Sequence, residues 1–218
     1  MIIMKFGGSS LATAAGIRQV ADLIVNTEST PCVVLSAMGN TTTMLFEVAA
    51  GAGAGDSKAA LVIVDKVFTY TGAVIDDLFE DATRVTAPLA QLRADAELLV
   101  RGIARAAERG PSTTTARTTD ALVAHGERIS TLVLTELLLE RGHKVMAVDA
   151  RDVIRTNAAY GKAKPIPGQI LQRAHQNIGP HLAHGTAIVT QGYVGSAPDG
   201  STTTLGRGAS DWTAALLC

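Results

Sequence analysis

The residues Lys5, Gly7, Gly8 and Ser9 form a short segment that could hold an anionic group. Backbone N–H groups of a glycine turn can bind phosphate oxygens, and the lysine would add a positive charge. Because the lysine precedes the glycines, the segment is not a P-loop of the GxxxxGK[ST] type. Taken alone, it is also compatible with a tight strand-to-helix turn beside a surface lysine.

A second segment, HGERISTLVL, places Glu127 near the start of an otherwise apolar helix. Glu127 could point into a cleft and pair with the ammonium group of a substrate. Alternatively, it could lie in a solvated first turn, where its negative charge complements the helix dipole.

The third segment, TTTLGRGASD, has a glycine on each side of Arg207. Such glycines free the backbone to bring the planar guanidinium against a carboxylate or phosphate, which it can bind through two hydrogen bonds. Ser210 and Asp211 follow directly. They could join the same site, or they could cap the next helix.

Apolar runs that stop at small residues predict the strands that position these segments. MIIMKF ends at Gly7, and a helix follows in which Ile17, Val20 and Ile24 repeat at helical spacing. PCVVL then ends at the small-residue turn SAMGNTTT. A right-handed β-α-β unit would place both turns at the same edge of a parallel sheet, where ligands of such sheets bind. KVMAVDA and TAIVTQGYVG predict two further strands, so we expect all three segments on one rim.

Residues from about 51 to 118 predict a helical insertion, because apolar residues recur there at steps of three and four and no convincing strand is present. A long helix should follow and end at Gly142 in a left-handed cap. Another helix is expected around GQILQRAHQNIGPHL. We therefore predict an α/β fold over residues 1–218, a three-layer sandwich around a mainly parallel sheet.

Composition argues against several classes of protein. Lys and Arg total 19 and Asp and Glu total 20, without long charged blocks, so nucleic acid and membrane surfaces are not expected partners. Cys32 and Cys218 have no metal-ligand spacing, so we expect no metal site built from protein side chains alone. No run reaches the ~20 apolar residues of a membrane span. These features predict a soluble, cytoplasmic protein.

The charges of the predicted rim suit one kind of chemistry. A lysine, an arginine, a glutamate, an aspartate and several backbone donors would meet there. Phosphoryl transfer between a nucleotide and a small acidic molecule relies on such charge stabilisation and positioning.

Four segments, in this order, resemble those of the aspartokinases, within the amino-acid kinase superfamily. MKFGGSSLA resembles the family's K-F-G-G-[ST]-S start, and VVLSAMGNTT its S-A-M-G-x-T-T loop. HGERIST is similar to its G-E-x-x-S-[ST] helix, and TTTLGRGASD to its T-T-L-G-R-G-G-S-D segment. The resemblance spans the chain and is weakest over residues 51–118. Ala209 replaces the family's second glycine, which is tolerable only if this position does not need a positive φ.

The resemblance implies that ATP, with Mg²⁺, phosphorylates the side-chain carboxylate of L-aspartate. The product would be 4-phospho-L-aspartate, the first step towards lysine, threonine and methionine. Lys5 and Asp211 would be catalytic, with Lys5 neutralising charge on the transferred phosphoryl group and Asp211 organising Lys5. The family usually dimerises, which implies a homo-oligomer. By resemblance, the substrate-binding residues are Ser36, Thr42, Glu127, Arg207 and Ser210, and the phosphate-binding residues are Lys5, Gly7, Gly8 and Ser9.

Family members continue beyond this point into strands that hold the adenine and ribose and into regulatory ACT domains, neither of which this sequence contains. We expect the chain to be a fragment. The alternatives are a short form completed by another chain and a module that only binds aspartate or assembles with a kinase. A kinase for acetylglutamate or a nucleoside monophosphate is disfavoured, because GERIST and TTTLGRGASD resemble the aspartate branch. We also expect an unpaired sheet edge and an uncovered apolar face around Ala214, Leu216 and Leu217.

Overall fold

A parallel sheet of four strands forms the centre of the protein. The computed structural model describes residues 2–109, 113–206 and 208–218. The strand order is β1-β2-β4-β3, and every pairing is parallel. All residues of β2 are buried, as expected for an inner strand covered on both faces. The strands are β1 (Ile2–Phe6), β2 (Pro31–Leu35), β3 (Val145–Val148) and β4 (Ala187–Gln191).

The carboxyl ends of three strands are level with one another. Phe6 pairs with Leu35, and Leu35 pairs with Gln191. The loops that follow β1, β2 and β4 therefore leave the sheet side by side. This confirms the prediction that the first two glycine and hydroxyl turns share one edge.

The run TAIVTQGYVG is not a single strand, contrary to the prediction. Tyr193 has a φ of 68°, a left-handed conformation that turns the chain after β4. The next strand, β5 (Val194–Ser196), pairs antiparallel with β6 (Thr202–Thr204) in a separate sheet. The sequence does not predict this break, because residues other than glycine rarely adopt a positive φ and a tyrosine in an apolar run gives no sign of one.

Helices pack against both sides of the sheet. α6 packs on β2, β3 and β4, whereas α9 and α10 pack on β4, β1 and β2, so the α/β layer prediction is confirmed. In the described part of the chain, no helix is both long enough and apolar enough to cross a lipid bilayer. A 3₁₀ turn spans Gly8–Leu11, and the helices are α1 (Ala14–Val25), α2 (Thr41–Gly53), α3 (Ser57–Leu78), α4 (Thr83–Ala107), α5 (Thr113–Val123), α6 (His125–Glu140), α7 (Ala150–Val153), α8 (Pro167–Asn177), α9 (Gly179–Ala183) and α10 (Ser210–Leu216).

Helices α3, α4 and most of α5 occupy the region of about 51–118 that the sequence predicts to be helical, whereas α2 begins ten residues before it. The apolar positions Leu92, Ala96 and Ile103 of α4 are buried, as their spacing indicates. The chain leaves α6 through Gly142, whose φ is 76°, so the predicted left-handed cap is confirmed.

The apolar residues of α10 are more buried than the sequence predicts. Leu217 is buried, and Ala214 and Leu216 pack partly buried against the main core. The expected uncovered face is therefore wrong for these residues. α10 lies on β1, β2 and α8, which supply the apolar contacts that the sequence pattern could not reveal.

Gly126 allows α6 to approach the loop after β2 closely. A β-carbon at this position would lie 2.7 Å from the β-carbon of Ala37. Such a distance is too short for two carbon atoms, so any larger residue would push α6 and this loop apart.

We expect Gly126→Ala to lower the free energy of unfolding by about 1–3 kcal/mol, the usual cost of overpacking a core contact. Gly72→Ala in α3 is the matched control. A β-carbon at Gly72 has no neighbour within 4 Å, so this change should stabilise the helix by about 0.5–1 kcal/mol. Urea unfolding of both variants checks the prediction, and equal stability would contradict the close approach.

Candidate active site

A cavity of about 240 Å³ lies where the chain leaves β1 and β2. It brings together five residues of the predicted site, which are far apart in the sequence. These residues are Gly8, Ser36, Thr42, Glu127 and Ser210, and the other described lining residues are Ala37, Gly39, Thr43, Tyr193 and Gly208.

The loops after β1 and β2 are joined through their backbones. The Ser36 N–H donates to the Phe6 carbonyl at 3.1 Å, and the Gly39 N–H donates to the Gly8 carbonyl at 2.9 Å. A β-carbon at Gly8 would lie 2.7 Å from the Ala37 carbonyl oxygen, so a glycine is required for this approach. The two loops therefore form one surface.

Tyr70 of α3 holds these two loops from the side. Its hydroxyl donates to the Ala12 carbonyl at 2.6 Å, and a β-carbon at Gly39 would lie 3.0 Å from the same hydroxyl oxygen. Next to Tyr70 is a larger cavity of about 500 Å³, lined by Ser9 and sharing Gly39 with the first cavity. Ser9 thus faces this neighbouring space, which leaves room for a second ligand beside the first.

Glu127 is the buried acid of the site. Only 3% of its surface is exposed, and its Oε1 accepts a hydrogen bond from the Ala37 N–H at 3.2 Å. Its Oε2 has no hydrogen-bond partner among the described residues. The alternative that Glu127 lies in a solvated first turn is therefore wrong.

Burial raises the pKa of Glu127 to about 8, because removal from water disfavours the charged form. The hydrogen bond from Ala37 acts in the opposite direction but does not offset the effect of burial. Without a ligand, the carboxyl group therefore holds its proton at neutral pH. A cationic group in the cavity would favour the carboxylate.

Lys5 and Asp211 form an ion pair at this end of the sheet. The Lys5 Nζ lies 2.9 Å from the Asp211 Oδ1, and a β-carbon at Gly7 would be 3.7 Å from the same Nζ. The Asp211 side chain is mostly exposed, and Lys5 is about one quarter exposed. The ammonium group therefore lies beside the glycine turn rather than free on the surface.

Ser210 is buried and begins α10 instead of capping it. Ala209 occupies the N-cap position, and no side chain caps the helix, so the capping alternative is wrong for Ser210 and Asp211. Ala209 has a φ of −79°, so alanine is accommodated without strain in place of the family's glycine. A β-carbon at Gly192 would lie 2.6 Å from the Ser210 β-carbon, which shows how tightly α10 packs against the end of β4.

Arg207 lies outside the described residues. Its neighbours Gly206 and Gly208 have φ values of 96° and 81°, conformations that favour glycine. Gly208 also lines the cavity.

Two residues that the sequence analysis did not single out support the site. The Ser130 hydroxyl contacts the carbonyl oxygens of Ser36 and Glu127 at 2.8 and 3.0 Å. The buried Asp120 accepts hydrogen bonds from the Gly161 N–H and from both the N–H and the hydroxyl of Thr204. Ser130 lies in the same GERIS segment as Glu127, and this proximity is a signal for its role. Nothing in the sequence links Asp120 to Thr204.

Within the ranges that the structure describes, no group of three or more His, Cys, Asp or Glu side chains could hold a metal ion. The acidic residues of the site, Glu127 and Asp211, are engaged with Ala37 and Lys5. Any metal ion at this site would need further ligands from a bound molecule.

The chain is similar in sequence to known proteins over almost its whole length. The chain is 36% identical over 217 residues to lysine-sensitive aspartokinase 3 of Escherichia coli strain K12, covering 100% of this chain and 46% of that protein. It is 33% identical over 229 residues to aspartokinase 1, chloroplastic, of Arabidopsis thaliana, covering 99% of this chain and 37% of that protein. The chain therefore spans less than half the length of these relatives.

A solved structure agrees with the sequence matches. The crystal structure of E. coli aspartokinase III in complex with aspartate and ADP superposes with a TM-score of 0.87 at 34% identity, over 100% of this chain and 46% of that one. The sequence model of the amino acid kinase family matches residues 1–218. Because this match covers the whole chain, the protein belongs to the amino acid kinase family.

Proposed function

We propose that this chain carries the amino-acid-binding part of an aspartate kinase and takes part in phosphorylating the side-chain carboxylate of L-aspartate with ATP. The product would be 4-phospho-L-aspartate, which leads towards lysine, threonine and methionine. The relatives named above are aspartokinases, and one of them was crystallised with aspartate and ADP. That pair of ligands supports both substrates of the proposed reaction.

One observation carries the proposal: the unpartnered Oε2 of buried Glu127 beside the cavity. A buried carboxyl oxygen without a hydrogen bond is costly, so it favours a ligand that supplies a donor. The ammonium group of an amino acid is such a donor. Ser36 and Ser210 line the same cavity and can hold the rest of the substrate.

The proposed reaction forms one bond and breaks one. An oxygen of the aspartate side chain attacks the γ-phosphorus of ATP, the bond from that phosphorus to the β,γ-bridging oxygen breaks, and ADP leaves. The attacking carboxylate is already ionised at neutral pH, so no general base is needed. Positioning and charge stabilisation must therefore supply most of the rate enhancement.

In the proposed reaction, Lys5 would stabilise charge on the transferred group. Its ammonium lies beside the turn that begins at Gly7, and Asp211 fixes its position through the ion pair. The N–H groups of Gly8, which lines the first cavity, and of Ser9, which lines the adjoining one, can donate to phosphate oxygens. Mg²⁺ would arrive with the nucleotide and neutralise phosphate charge. The proposed role of Arg207, binding the substrate carboxylates, rests on the resemblance alone.

Lys5→Ala should lower phosphoryl transfer by on the order of 100- to 1,000-fold, because it removes a charge that acts on the transferred group. Aspartate binding should change little. The measurement is hydroxylamine trapping of the acyl phosphate with purified chain, Mg-ATP and L-aspartate. Lys66→Ala, an exposed lysine on α3, is the matched control.

Hydroxamate formation that survives Lys5→Ala at the normal rate would remove Lys5 from the mechanism. The cavity beside Glu127 is also compatible with a second candidate function, an aspartate-binding module without kinase activity. Aspartate binding by calorimetry without any hydroxamate would support the module. Absence of both binding and turnover would contradict the proposed substrate.

Aspartate affinity should rise with pH between about 6 and 8 and then level off. The free Glu127 carboxyl holds a proton up to a pKa of about 8, whereas pairing with the ammonium group requires the carboxylate. Binding below this pH therefore releases one proton, and the affinity should change by up to about tenfold per pH unit. Calorimetry in two buffers with different ionisation enthalpies measures both the affinity and the number of protons released.

Glu127→Gln should bind aspartate weakly and with no pH dependence over this range, because it has no titrating group at this position. Glu47→Gln, an exposed change on α2, should retain the dependence of the parent chain. An affinity that is flat with pH in the parent chain would contradict pairing between Glu127 and the ammonium group.

A further inference from the structure

A separate cavity of about 230 Å³ lies on another side of α6. Its lining includes His125 and Arg128, which are three residues apart and therefore share one face of the helix, whereas Glu127 points elsewhere. No described residue lines both this cavity and the candidate active site. The features of this cavity are therefore independent of the proposed kinase reaction.

His125 presents an unsatisfied hydrogen-bond acceptor at this cavity. Its Nδ1 lies 2.9 Å from the Ala121 carbonyl and 3.2 Å from the Leu122 carbonyl, so Nδ1 must carry the hydrogen. Burial and the nearby Arg128 charge lower the pKa of His125 to about 4, so the ring is neutral. Its Nε2 is then a bare acceptor, and it has no partner in the described part of the chain, although the residue is only 2% exposed.

Arg128 is a partly buried cation that lines this cavity. Among the described residues, its guanidinium makes no hydrogen bond and no ion pair within 4 Å. Burial and the charge of Arg151 lower the pKa of this guanidinium, whereas the charges of Asp149 and Asp95 raise it. Its N–H donors are therefore available to an anionic ligand group in the cavity.

Arg151, Asp95 and Thr202 complete the polar lining. Arg151 donates from Nε to Asp149 at 2.9 Å, but its Nη1 reaches only Thr202, at 3.5 Å. Asp95 accepts from Gln91 at 2.8 Å and lies across the cavity on α4. Two arginines and one acid line the cavity, and Asp149, which is bonded to Arg151, supplies a second negative charge nearby, so the cavity does not attract a simple multiply charged anion.

The rest of the lining is aliphatic, from Leu98, Leu99, Ala121 and Ala124. Its volume is that of on the order of seven water molecules. The cavity can therefore hold a small branched acid but has no room for a nucleotide.

We propose that the cavity between α4, α5, α6 and α7 binds a small aliphatic carboxylate that carries a hydrogen-bond donor next to the carboxylate group. Arg128 and the Nη1 of Arg151, whose contact with Thr202 is long, bind the carboxylate, and the Nε2 of His125 accepts from the hydroxyl or amine on the neighbouring carbon. The aliphatic part lies against the leucines. Asp95 then distinguishes an ammonium group, which it attracts, from a hydroxyl group.

Calorimetry with isovalerate, 2-hydroxyisovalerate and valine tests this site in the intact chain. We expect 2-hydroxyisovalerate to bind with a Kd on the order of 1 mM and isovalerate several-fold more weakly, because isovalerate cannot donate to His125. Asp95→Asn should weaken valine selectively if the natural donor is an amine. If valine binds Asp95→Asn and the parent chain with equal affinity, the natural ligand carries a hydroxyl group instead of an amine.

Arg128→Gln should abolish binding of 2-hydroxyisovalerate, and the variant itself should be about as stable as the parent, since no hydrogen bond or close ion pair among the described residues is lost. Arg128→Lys, which keeps the charge but not the planar fork, should bind several-fold more weakly. Arg173→Gln, an exposed arginine on α8, is the matched control and should bind normally. Glu127→Gln should also bind normally, which separates this site from the aspartate cavity.

A second readout follows His125 directly. The ¹⁵N resonance of its Nε2 should shift when the hydroxy acid binds, with Nδ1 remaining the protonated nitrogen. Absence of saturable binding to the parent chain would overturn the proposal. So would binding that persists in Arg128→Gln, or a clear loss of stability in that variant, which would mean that Arg128 already has a structural partner.

Discussion

The contact between the Glu127 carboxyl group and the Ala37 backbone N–H is the interaction on which the site depends. It joins the first turn of α6 to the loop after β2, two segments separated by 90 residues. Gly126 permits the approach, and Ser130 adds a second link to the same loop through the Ser36 carbonyl. The cavity exists because these contacts hold a buried acid against the carboxyl edge of the sheet.

The same first turn of α6 combines two different environments. Glu127 faces the loops that follow β1 and β2, whereas His125 and Arg128 face the helical layer formed by α4 and α5. On each side, one buried polar atom has no hydrogen-bond partner among the residues that the structure describes: Oε2 of Glu127 and Nε2 of His125. Unsatisfied buried groups are costly and are found where ligands complete the hydrogen bonding. The first turn of α6 therefore offers two buried polar atoms to which ligands can bind.

Much of the architecture could be predicted from local patterns. The strands β1 and β2, the glycine turns after them, the helical region after residue 51 and the cap at Gly142 all follow from apolar spacing and from the conformations open to glycine. The grouping of Ser36, Thr42, Glu127 and Ser210 around one cavity also agrees with the expectation that parallel strands end at one edge. These features are local or follow from the handedness of β-α-β units.

Sequence alone determined which chemical groups are available, the approximate helices and strands, and the edge of the sheet to which the site belongs, because these depend on nearest neighbours along the chain. Only the tertiary structure decided that Glu127 is buried and protonated, that Tyr193 ends β4, and that Lys5 pairs with Asp211. It also decided that Arg128 and His125 line one cavity between the helices. Burial and ion pairing depend on which distant segments meet, and no local pattern of residues contains that information.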